Sequence, residues 1–107
     1  MALSMDKQPE DNEIVEAIRA QLGGTTDVDQ VVVKGDLLQI HVTEPFYNRL
    51  AMDRERGRKI VLTLMESMRK LSGLSDVTVR VYCNKEKVIE GKAKPFGGDN
   101  VIYAYDL

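Results

Sequence analysis

"EPFYNRLAMDRERGRKIVLTLMESMRKLSG", residues 44–73, separates two groups of strand-like segments, so its conformation decides how they join. Pro45 suits the first turn of a helix, where its missing N–H would have no intrahelical partner anyway. Apolar residues recur at Phe46, Leu50, Val61, Leu64, Met68 and Leu71, and with Arg54 and Gly57 counted in, the stripe steps by threes and fours. Ser72 and Gly73 end it. The pattern predicts one continuous helix from Pro45 to Leu71.

Upstream, "DQVVVKGDLLQIHV" has a β-branched run on one side of Gly35 and Asp36 and the alternating Leu38, Ile40 and Val42 on the other, which reads as a β-hairpin. Before it, "NEIVEAIRAQL" spaces Ile14, Ile18 and Leu22 four apart, with Asp11 or Asn12 as N-cap and Gly23 and Gly24 as the stop. This is a short amphipathic helix. The tail, residues 1–10, has no periodicity and is expected to be flexible, leaving 11–107 as a single domain.

Downstream, "SDVTVRVYC" alternates strictly, Val77, Val79, Val81 and Cys83 facing one way and Thr78, Arg80 and Tyr82 the other. "NKEK" turns into "VIEGKAK", and "PFGGDN" separates that from "VIYAYDL", which makes a three-stranded meander. The expected class is α+β in the order α-β-β-α-β-β-β. Strands joined by short turns pair antiparallel, so one antiparallel sheet is expected, with two helices packed on one face.

With 43% hydrophobic and 30% charged residues and three prolines in 107, the composition is that of a globular domain with room for one modest core. A lone cysteine excludes an internal disulfide and any multi-cysteine metal site within one chain, and fits a reducing compartment. No apolar run approaches a membrane span and no leader pattern is seen, so a cytoplasmic protein is expected. The net charge of −2 disfavours a dedicated nucleic-acid binder.

"MDRERGRKIV", residues 52–61, concentrates six charges around a glycine. Glu55 precedes Lys59 by four and Asp53 precedes Arg56 by three, so much of this charge is expected to pair locally. Arg54 and Gly57 resist that reading. A charge in the apolar stripe is costly without a partner, and a mid-helix glycine costs about 1 kcal/mol relative to alanine. Their expected compensation is a second copy, with Gly57 permitting close approach and Arg54 meeting a carboxylate across the interface. The alternative is an anion or small-ligand site, with or without catalysis, built from Arg54, Arg58 and His41. A second alternative is weak nucleic-acid binding through Arg54, Arg56, Arg58 and Lys59.

His41, the only histidine, falls on the less apolar face beside Gln39 and Thr43, with no orienting partner in view. Cys83 continues the inward register as a small buried hydrophobe. "KPFGGDN" lacks the following helix that a phosphate loop requires and reads as a hairpin loop. Arg80 and Tyr82, with Tyr103 and Tyr105, are candidates for a recognition surface on the sheet.

The opening helix, the hairpin around "KGDLLQI" and the helix running into "LSGLSDVTVRV" resemble the α-β-β-α-β order of BON-type domains, a family associated with membranes or lipid surfaces. Here "HVTEPFYNRL" replaces their glycine-bearing segment, and no function is carried over from the likeness. No motif identifies a reaction. The expectation is a non-enzymatic interaction or regulatory module, without cofactor or metal, that forms a homodimer and binds a protein partner.

Overall fold

The computed structural model describes residues 11–22, 27–93 and 98–104. The expected tail, the Gly23 and Gly24 stop, the first half of "KPFGGDN" and Tyr105 lie outside them. Three helices and a five-stranded mixed sheet make the α+β class plain.

Helix α1 (Asp11–Gln21) begins with Asp11 and Glu13 and carries Arg19 in its last turn, complementing the helix dipole at both ends. It buries Ile14 and Ile18. Strands β1 (Val28–Lys34) and β2 (Leu37–Val42) form the expected hairpin, with Gly35 at φ 59° where the two-residue turn needs a positive angle.

The long helix is two helices. α2 (Glu44–Met52) stops at Asp53, and α3 (Arg54–Ser72) starts immediately after it. Asp53 has non-helical angles of φ −130° and ψ 82°; its N–H donates to the Arg49 carbonyl, while its carboxylate accepts the Arg56 N–H at 3.2 Å. One residue therefore closes the first helix and caps the second. The order becomes α-β-β-α-α-β-β-β, a correction that periodicity hides because a bend at one polar residue leaves the apolar spacing intact.

Strands β3 (Thr78–Cys83), β4 (Glu86–Ala93) and β5 (Asp99–Tyr103) follow. Asn84 and Lys85 join β3 to β4 with both φ values positive, 53° and 68°, as a type I′ turn requires. The strands lie in the order β1-β2-β3-β4-β5. All neighbours are antiparallel except β2 and β3, which run parallel with Leu38 beside Val79 and Ile40 beside Val81. The wholly antiparallel expectation is thus corrected. The short-turn rule does not govern the β2 to β3 junction, where two helices carry the chain back to the end from which β2 started.

Alternate sheet residues, among them Val33, Leu38, Ile40, Val79, Val81 and Ile89, join Ile14 and Ile18 of α1 and Val61, Met65 and Met68 of α3 in one buried cluster. Helix α3 lies so near β4 that a Cβ at Gly91 would stand 2.6 Å from Val61 Cγ1 and 2.8 Å from Met65 Sδ.

Arg69 fastens the far end of α3. Its Nε–H donates to the Ser75 carbonyl at 3.0 Å, and its Nη1 and Nη2 donate to the two carboxylate oxygens of Asp99, the former at 3.0 Å. The Asp99 hydrogen bond is the chief reason the guanidinium pKa is raised further. The helix end, the α3–β3 connection and the start of β5 thus share one fork-shaped donor. Asp99→Ala is expected to lower the unfolding free energy by about 1–2 kcal/mol, read from the urea midpoint at unchanged slope.

Candidate binding surfaces at the elbow and on the sheet

The α2–α3 elbow distributes the six charges of residues 52–61 to different surroundings. The Arg54 guanidinium carbon stands 5.0 Å over the Tyr103 ring, a cation–π contact. Gly57 is buried, and an added Cβ would lie 2.0 Å from the Tyr103 hydroxyl. The close approach that Gly57 permits is therefore to β5 of its own chain. The Tyr103 hydroxyl lies 3.1 Å from the Leu50 carbonyl and 3.4 Å from that of Arg54, so it bridges the last turn of α2 and the first of α3. Spacing within a helix does not reveal which element faces a glycine, and this is why the sequence reading assigned the space to another copy.

Arg58 is exposed. The expected pairs Glu55–Lys59 and Asp53–Arg56 do not close, and Arg56 and Lys59 have no ion-pair partner among the described residues. Both side chains border a trough beside the elbow. One hollow of about 370 Å³ has Leu22, Phe46, Ile60 and Leu64 as its apolar lining, with Arg56 and Lys59 beside them. A second, of about 430 Å³, shares Leu22, Phe46, Arg56 and Ile60 and extends to Asp27 and Arg49. Arg49 is bound to Asp27 at 2.7 Å, and its guanidinium carbon lies 5.6 Å from the Phe46 ring centre. The elbow creates this trough, because the turn at Asp53 sets Phe46 of α2 beside Ile60 of α3.

The other alternating set of the sheet carries polar groups. His41 and Tyr82, adjacent on parallel β2 and β3, stack with ring centres 5.0 Å apart and planes 15° apart. Arg80 Nε donates to Glu90 Oε2 at 2.9 Å across β3 and β4, and Lys87 Nζ lies 3.4 Å from Glu90 Oε1. Burial alone would raise the Glu90 pKa. The Arg80 hydrogen bond and the Lys87 charge outweigh it and hold the carboxyl below its ordinary value. His41, Arg80 and Tyr82 are thus brought close together, whereas Arg54 and Gly57 pack around Tyr103, in the register opposite to His41.

Among the described residues no general-base arrangement forms around His41, which stacks on the Tyr82 ring. Burial, followed by the charges of Glu44, Asp29 and Glu86, pushes the Cys83 thiol pKa up, the reverse of what a nucleophilic thiolate needs. The described residues contain no cluster of metal-ligating side chains, and none of their helices is long and apolar enough to cross a membrane. No protein-family model, curated protein or solved structure matches the chain.

Sequence reasoning missed the trough because its lining comes from α2, α3 and the chain around the end of α1, and the signal that would have exposed it was Asp53, a strong N-cap residue in the middle of the helical pattern. It also missed Glu90, which faces Arg80 only once β3 and β4 are in register.

Two measurements test these contacts. Tyr103→Phe is expected to destabilise the wild-type chain by about 1 kcal/mol through the lost hydroxyl bonds, yet to stabilise a Gly57→Ala chain, where that hydroxyl is the obstacle. Because the Glu90 pKa is depressed in the folded state, its stabilisation is full above the ordinary carboxylate range and disappears as pH falls through the folded value. Glu90→Gln is expected to flatten that part of the acid-unfolding curve, followed by circular dichroism.

Proposed function

We propose that the protein is a non-enzymatic interaction module of a reducing, cytoplasmic setting, its helices gathered on one sheet face, that pairs with a second copy along the outer edge of β5. The observation that carries this reading is the exposed Ile102, 37% accessible, on a strand whose outer side has no strand partner among the described residues. Ile102 borders a largely apolar hollow of about 190 Å³ with Val88, Ile89 and Ala104. An unpaired edge offers a row of N–H and C=O groups, and apolar contact beside it favours strand addition. Two β5 strands related by a two-fold axis would run antiparallel, so one edge complements itself and the contact closes at two chains.

The single-cluster core supports the one-sided arrangement of helices. The polar face supports a non-enzymatic role, since Arg80, Glu90 and Lys87 satisfy one another instead of converging on a shared empty point.

Native mass spectrometry of gently purified protein tests the proposal. Wild type is expected at twice the 12.0 kDa chain mass, and Ile102→Lys at the single-chain mass with an unchanged far-ultraviolet circular dichroism spectrum. A wild-type monomer overturns the self-pairing, and a dimer that survives Ile102→Lys overturns the β5 edge as its site.

A further inference from the structure

We infer that the trough at the α2–α3 elbow receives an acidic polypeptide segment of a partner protein, its apolar side chains on the floor and its carboxylates on Arg56 and Lys59. This rests on the interaction-module reading and adds the partner's chemistry at a surface away from the β5 edge.

Shape is the first argument. The two hollows share Leu22, Phe46, Arg56 and Ile60 and so adjoin, and the first meets at Thr63 a third that reaches Lys70, with the Gln21–Ser67 hydrogen bond of 2.6 Å beside that junction. From Arg56 to Lys70 this follows α3 for about 21 Å at 1.5 Å per residue. An open depression of that length matches a segment of chain laid along a helix and is poorly matched to a compact metabolite.

Charge is the second. Among the described residues lining the two hollows, Arg49, Arg56 and Lys59 are accompanied by one carboxylate, Asp27, which Arg49 already holds, while the nearby Asp53 carboxylate is engaged by the Arg56 backbone N–H. Arg56 and Lys59 have no ion-pair partner among the described residues, although the whole chain is net negative. An acidic segment supplies both missing partners while its apolar residues cover Phe46, Ile60 and Leu64. Nucleic acid fits less well. Its bases call for stacking platforms and its backbone for continuous positive charge, whereas this floor has one ring, already faced by Arg49, and Glu66 interrupts the cations toward Lys70.

The test is selection from a displayed library of random peptides about 14 residues long, the helical length of the trough, against the full chain. Enrichment of sequences combining Asp or Glu with Leu, Ile or Phe is expected. Affinity should fall at least about tenfold in the Arg56→Glu/Lys59→Glu variant and also in Phe46→Ser, with far-ultraviolet circular dichroism unchanged in both. Enrichment of basic or purely polar peptides, equal binding by the charge-reversed variant, or no enrichment overturns the inference. So does preferential binding of an oligothymidylate probe with steep salt dependence. Native masses of the same samples separate the two proposals: dimers that select no acidic peptide leave self-pairing standing and remove the trough's assignment.

Discussion

Asp53 is the constraint on which the arrangement depends. A straight helix from Glu44 to Ser72 would extend about 43 Å, roughly twice the length of the six-residue strands β2 and β3. Much of its apolar stripe would overhang the sheet. By taking up the Arg56 N–H on its carboxylate, giving its own N–H to Arg49 and accepting the Gly57 N–H on its carbonyl, Asp53 satisfies three of the backbone donors at the bend. Tyr103 then holds the two halves from the side of the sheet through the adjacent Leu50 and Arg54 carbonyls. The elbow is therefore a designed corner with a cap at its vertex and a brace beneath it.

Much of the architecture was legible because burial has a period. Val79, Val81 and Cys83 face inward as alternation requires, as do Leu38, Ile40 and Val42, and the α3 stripe buries Val61, Leu64 and Met68. What escaped were features that have no period. The bend rests on one side chain binding one N–H, and parallel pairing of β2 with β3 depends on where a crossover ends. Gly57 stands out in the sequence as a mid-helix glycine, but identifying its neighbour requires knowing that Tyr103 arrives from about 46 residues later, a contact that no local pattern encodes. The partners of Arg80 and His41 likewise follow from strand register, which exists only after the sheet does.

The charges divide the molecule into two electrostatic regimes. On the sheet, opposite charges neutralise one another at short range through the Arg80, Glu90 and Lys87 group, and at the C-terminal end of α3 through Arg69 and Asp99. Around the elbow, cations outnumber the acids that meet them. A chain with more acidic than basic residues thus carries a local surplus of the opposite sign, a distribution that its net charge conceals.

Parallel pairing of β2 with β3 also shapes how the molecule assembles. Each hairpin, β1–β2 and β3–β4, closes through a two-residue turn and needs only near neighbours. Their union joins Leu38 to Val79, about forty residues apart, and carries the larger loop-closure entropy. Local hairpins form on a microsecond scale, while pairings across such separations are slower. The costliest closure thus falls at the centre of the sheet, between its two most buried strands, where each half covers the edge of the other.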